Sequence, residues 1–264
     1  VRRRFGDAVE LHEIDYGRPI PWDKIEAAET VIITDFSLPK DDMLKIYEAK
    51  GENFIWIDHH ISAIEEMSDF ESIAGLRALD RAACVLTWQY FLPESSVPAA
   101  VLFIGDRDIW QFDYPQTRVF SEGLSAEDTA VNNNALWDAL LSNDQELVQR
   151  LIEKGEILLD ARLKQIAYHV DTYGFALDFD GYNTLAVNLP GNGDIGHYIC
   201  SLGYDVAYVY RDNFQDGQVF TNVTLYSETV DVSKLAMRYG GGGHKGAAGF
   251  RFMRSGNSPL PVAF

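Results

Sequence analysis

Phe54-Ile55-Trp56-Ile57-Asp58-His59-His60 is an unbroken run of four apolar residues leading straight into an acid and two imidazoles. A short continuous apolar run of this kind predicts a buried strand, and the polar residues after it mark its end. The pattern recurs upstream, where Val31-Ile32-Ile33-Thr34 leads into Asp35. Between the two, Met43, Leu44 and Tyr47 fall at helical spacing, with Ser37 and Pro39 as opening residues and Gly51 as the stop. Strand, helix and strand in this order predict a βαβ crossover and an α/β domain built on a doubly wound, mostly parallel sheet. Ligands of such sheets sit beyond the carboxyl ends of the strands, so Asp35, Asp58 and Asp106, each at or just beyond the end of an apolar segment, are expected at one crevice.

Outward from this core the reading is coarser. Val9–Ile14 alternates apolar and polar side chains and predicts a strand. Ala82–Phe91 and Ala99–Ile104 are apolar; for the second, periodicity leaves helix and strand open. It runs into Gly105-Asp106-Arg107-Asp108-Ile109-Trp110, which places two acids, an arginine and an aromatic together. From Ala135 to about Tyr173 apolar residues recur at helical spacing and predict two helices, with Gly155 as the break. The remainder reads as a smaller α+β domain. Its expected strands are Thr184–Asn188, Asp205–Tyr210, Val219–Ser227 and Gly249–Met253, with helices after Asp194 and Asp231. The organisation expected is therefore a first domain over 1–125, a helical connector over 126–173 and a second domain over 174–264.

Composition excludes several classes. The chain has 264 residues, 47% hydrophobic, enough for real cores. Its apolar runs stop at six residues, Ala99–Ile104, against roughly 20 for a membrane span. Val1-Arg2-Arg3-Arg4 is followed by Phe5-Gly6-Asp7 and lacks the apolar stretch of a signal peptide. Cys84 and Cys200 match no zinc or disulfide spacing, so a reducing, cytoplasmic setting is expected. Lys plus Arg is 22 against 40 for Asp plus Glu, a net charge of −18, the wrong sign for coating long duplex nucleic acid. Up to Ser125 there are 12 basic and 23 acidic residues, whereas after Asp231 no acid occurs and Lys234, Arg238, Lys245, Arg251 and Arg254 are basic. An acidic body with a basic end suits a small anionic substrate.

Two constellations carry chemistry. Adjacent imidazoles behind a strand-end carboxylate combine neutral nitrogen ligands with an orienting acceptor, as metal sites require. Farther on, Gly240-Gly241-Gly242-Gly243-His244-Lys245-Gly246-Ala247-Ala248-Gly249-Phe250 places four glycines before a histidine and a lysine. Glycines let backbone N–H groups approach an anion closely, and His244 and Lys245 add donors and positive charge.

Together, Asp-His-His after a strand, an earlier strand-end Asp, a later Asp and the distal Gly-Gly-Gly-Gly-His-Lys-Gly-Ala-Ala-Gly resemble the DHH phosphoesterase superfamily. The likeness is strongest to the branch with a DHH-associated C-terminal domain, which includes nanoRNA hydrolases, phosphoadenosine-phosphate phosphatases and RecJ-like exonucleases. The resemblance implies a two-metal site for manganese or magnesium, with Asp35, His59 and Asp106 as ligands and Asp108 as the second candidate for the last position. It implies His60 facing the phosphate with Asp58 behind it as the catalytic pair, and Gly241, Gly242, Gly243, His244 and Lys245 as the substrate-phosphate element. The expected substrate is a small nucleotide or short oligonucleotide. A metal-depleted nucleotide sensor and a polyphosphate hydrolase are the alternatives, and a homodimer is left open. One family motif, His-x-x-x-Asp-x-Asp, has no match ahead of Asp35, so the sequence is expected to begin after that strand or to come from a lineage without the first metal site. Tyr226 stands where many relatives carry Arg.

Overall fold

A computed structural model describes residues 1–15, 18–70, 72–254 and 260. The chain divides into two compact units, Val1–Leu159 and Asp160–Phe264. No described helix is long and apolar enough to cross a membrane.

The first unit holds strands β1 (Val31–Thr34) and β2 (Phe54–Ile57) and helices α1 (Arg2–Phe5), α2 (Trp22–Ala27), α3 (Lys40–Lys50), α4 (Ile61–Glu66), α5 (Ala83–Phe91), α6 (Ala99–Asp108), α7 (Thr117–Ser125) and α8 (Asn134–Leu141). A ninth helix, α9 (Gln145–Tyr173), starts in this unit and ends in the next. The βαβ unit forms as expected. β1 and β2 pair in parallel with Thr34 opposite Ile57, and single parallel bridges join Ile55 to Ala74 and Asp58 to Arg77. Phe54, Trp56, Val31, Met43, Ile46 and Met67 bury together and fix α3 on the pair. Each such side chain contributes about 1.5–3 kcal/mol by leaving water.

Two expectations change here, and one open choice is decided. Residues 9–15 form no strand; Leu11 is exposed and only Ile14 reaches the core, so the alternation has no neighbouring strand to pair with. Ala99–Ile104 is part of helix α6, whose Ala100 and Phe103 pack on Phe120 and Leu140. The break between the two later helices falls at 142–144, where Asn143 has φ 63°, and Gly155 lies inside continuous helix. A Cβ there would sit 1.7 Å from the Val119 carbonyl oxygen, so this glycine lets α9 and α7 cross in close contact. The segment 126–173 holds α8, within the first unit, and α9, which runs from the first unit into the second.

The second unit contains β3 (Phe175–Phe179), β4 (Tyr182–Asn188), α10 (Gly193–Ser201), β5 (Val206–Gln215), β6 (Gln218–Tyr226), α11 (Val232–Arg238), β7 (Gly242–His244) and β8 (Ala247–Met253). They make one six-stranded mixed sheet in the order β3-β4-β5-β6-β8-β7. Successive side chains point to opposite faces. Ala186, Tyr208, Val223 and Leu225 pack under α11, while Leu185, Val187, Ala207 and Val209 pack under α10 and the end of α9. Coverage of both faces explains why these strands read as continuous apolar runs.

Candidate metal centre

Thr34 and Ile57 are register partners, so the residues after them emerge side by side at the carboxyl end of the parallel pair. Asp35 extends the ladder by one bond, its N–H donating to the Ile57 carbonyl at 3.0 Å. Its backbone then turns into the left-handed region, φ 59°. For a non-glycine residue that conformation costs about 1–3 kcal/mol and persists where the surroundings impose it, commonly at functional sites.

Asp58 is fully buried. Its Oδ1 accepts from the backbone N–H of His59 at 2.7 Å, the backbone N–H of His60 at 3.1 Å and His60 Nδ1 at 2.7 Å. With a carboxylate oxygen as its acceptor, Nδ1 is the donor of the pair, which leaves Nε2 as the ring atom open to a ligand. The other oxygen, Oδ2, is buried with no hydrogen-bond partner. His59 Nε2 lies 3.1 Å from Asp35 Oδ1 and 3.3 Å from Asp108 Oδ2. Asp35, His59 and His60 each place a potential ligand atom within 4.8 Å of the others.

Asp106 does not join this cluster. On α6 it continues the buried face of Ala100 and Phe103, and it is itself buried. Its Oδ1 accepts from the Asp113 N–H at 2.9 Å, and its Oδ2 accepts from the Tyr114 N–H at 3.2 Å and from the Thr117 hydroxyl. Burial works against its ionisation, but the bonds from Thr117, Asp113, Tyr114 and Phe112 outweigh that and hold its pKa below the ordinary value. Both oxygens already accept from protein donors, and the acid of this segment that approaches His59 is Asp108. Reading Ala99–Asp108 as a helix would have separated the two, because residues two apart lie on different faces.

Burial and then the like charge of Asp35 raise the Asp108 pKa, with His59 and His60 pulling the other way. Cys84, on α5, is pushed up to about 12 by burial and by the negative charges of Asp108 and Asp35. It stays a thiol and offers no thiolate. The site thus gathers three carboxylates, two of them facing one imidazole nitrogen, and leaves a buried oxygen orphaned. A divalent cation with oxygen and nitrogen preference, manganese or magnesium, fits this donor set.

The glycine segment is not an open loop. Gly240, φ 76°, ends α11: its N–H donates to the Met237 carbonyl and that of Gly241 to the Ala236 carbonyl, a Schellman arrangement. Gly242–His244 is an edge strand paired to β8, and Gly243, φ 143°, backs onto Ala248 with no room for a Cβ. A Cβ on Gly242 meets nothing within 4 Å. His244 and Lys245 are exposed at the hairpin end, and the Lys245 carbonyl accepts from the Val232 N–H.

No protein-family model matches the sequence. An uncharacterised protein of Acanthamoeba polyphaga mimivirus is 27% identical over 235 residues, 85% of this chain and 53% of that protein. The chain spans about half the length of that relative. Among solved structures, the DHH domain of a member of a family of ribosomal proteins superposes with a TM-score of 0.53 at 16% identity, over 85% of this chain and 65% of that one. An exopolyphosphatase-related protein from Bacteroides fragilis gives 0.51 at 18% identity, over 86% and 67%.

Proposed function

With the α/β fold of DHH-domain proteins as its frame, we propose that this chain is a divalent-metal-dependent phosphoesterase of the DHH superfamily, hydrolysing small nucleotides or short oligonucleotides. The observation that carries this reading is the convergence of Asp35, His59 and His60 within 4.8 Å, with Asp108 at 3.3 Å from His59. Asp35, His59 and Asp108 would hold the cation. When bound, it supplies Lewis-acid polarisation of a phosphoryl oxygen.

The remaining work belongs to the protein. Asp58 fixes the tautomer of His60 and turns its Nε2 outward, where the half-exposed ring meets the phosphoryl group. With Nδ1 engaged by Asp58 Oδ1 at 2.7 Å, Nε2 is the ring nitrogen left to meet charge on the substrate. Within the second unit, the edge hairpin, through Gly242, His244 and Lys245, offers N–H groups and positive charge to a phosphate. The free thiols of Cys84 and Cys200 agree with a cytoplasmic setting.

The test is manganese-dependent release of mononucleotide from a dinucleotide by the purified chain. Activity with manganese that vanishes in His59→Ala supports the reading. Nucleotide binding without hydrolysis, unaffected by manganese, supports the sensor alternative, and cleavage of polyphosphate alone supports the hydrolase of that substrate.

A further inference from the structure

Directly after Asp108 the chain does something unusual. Trp110 and Phe112 both adopt left-handed backbone, φ 58° and 57°, a conformation that bulky side chains rarely take. Asp106 holds them there: its main-chain carbonyl accepts from the Gln111 N–H at 3.1 Å, and its carboxylate takes the N–H groups of Asp113 and Tyr114. The result is a tryptophan half exposed to solvent. Its Cα lies no more than about 7.6 Å from that of Asp108, two residues back.

The indole is also prepared electrostatically. The Arg107 guanidinium sits 4.9 Å from the centre of the Trp110 ring, and Phe112 meets the indole edge-on at 4.8 Å. Arg107 forms no ion pair with a described residue and lies over the ring. A strained turn and a buried carboxylate holding it thus place a half-exposed indole, with a guanidinium over it, two residues from Asp108. In a core, tryptophan needs none of these.

We propose that Trp110 is the platform on which the nucleobase adjoining the reacting phosphate stacks, with Arg107 beside it and Asp106 as the positioning residue of the loop. This rests on the phosphoesterase reading and deepens it: the substrate carries a base, and a base-free polyphosphate loses this contact. Stacking on an aromatic side chain tolerates any base, so the platform selects nucleotides as a class rather than one sequence.

The test is titration calorimetry of the full chain with a phosphorothioate diadenylate and with its abasic counterpart. Wild type should bind the base-bearing probe about 10- to 100-fold more tightly. Trp110→Ala and Trp110→Leu should bind the two probes alike, with manganese affinity unchanged, while Trp110→Phe keeps most of the preference. Wild type without a preference, variants that retain it in full, or no binding of either probe overturns the proposal. Hydrolysis is followed separately with manganese. A chain that prefers the base but cleaves nothing refutes the phosphoesterase reading and leaves the platform standing.

Discussion

Asp58 and Asp106 are buried carboxylates that each gather three or more protein donors, yet they hold different things. Asp58 gathers its donors from the next two residues, all on one oxygen, and leaves the other orphaned. Asp106 reaches residues 7 to 11 positions ahead and spends both oxygens. The first arrangement aligns two imidazoles at a strand end, and the second folds a loop that presents Asp108 and Trp110. The contrast teaches that an acid near a site is assigned by what its oxygens already accept. A satisfied carboxylate reads as architecture, and the proposed ligand is the neighbour it sets in place.

The sharpest way to break this comparison is to remove each acid in turn. Asp106→Ala removes the acceptor of the Asp113 and Tyr114 N–H groups at once, and the buried Thr117 hydroxyl loses its acceptor as well. It should lower the unfolding free energy by about 3 kcal/mol in urea titrations, since orphaned buried groups cost about 1–3 kcal/mol. Asp108→Ala, two residues along, should leave stability nearly unchanged. Equal losses in the two variants would erase the division of roles.

Asp58→Asn sharpens the other half. The amide can still accept from the backbone of His59 and His60, but it no longer holds the His60 Nδ1 proton by charge. Manganese-dependent turnover of a dinucleotide should fall about 10- to 100-fold, the range for groups that orient such imidazoles, with the fold retained. Steady-state hydrolysis reads this directly, and an unchanged rate would make Asp58 purely structural.

These two acids also show how far sequence reading reaches. The Asp58 arrangement is contiguous, so Phe54–His60 displays it whole. The Asp106 arrangement is spread over a helix and a loop, and nothing in Gly105–Trp110 reveals that the first acid faces inward. The second unit's central strands were legible because both faces of its sheet are covered and four consecutive positions of β4 are buried. Its edges were not: β3 is largely exposed and β7 is mostly glycine, so neither carries an apolar pattern. Val9–Ile14 shows the opposite failure, alternation without a partner strand.

Within the glycine segment the expected effects are smaller and position-specific. Gly243→Ala adds a Cβ 2.6 Å from the Ala248 Cα at a positive φ, so the β7–β8 pairing should weaken by about 1–3 kcal/mol. Gly242→Ala meets nothing and should leave stability within about 0.5 kcal/mol. If phosphate approaches this strand, Gly242→Ala should still weaken nucleotide binding severalfold. A variant that binds as wild type would move phosphate recognition away from Gly242.

The smallest effect separates Asp106 from Asp108 by the sign of their pH dependence. The Asp106 pKa is lowered on folding, so its contribution is present above the ordinary carboxylate value, about 3.9, and is lost as pH falls through the folded value. The Asp108 pKa is raised, by burial first and then by Asp35, so its contribution is full below about 3.9 and is lost as pH rises through the folded value. Metal-free Asp108→Asn should therefore gain stability relative to wild type above that range. The gain should stay well under about 1 kcal/mol, because the side chain is 41% exposed and solvent screens its repulsion from Asp35. Asp106→Asn should instead flatten the acid limb of the stability curve. Urea midpoints measured from pH 3 to 7 compare the two, and slopes of the same sign would show that both acids share one environment. Manganese supplies the final contrast: it should stabilise wild type and leave Asp108→Asn less affected, since the charge that the cation offsets is gone.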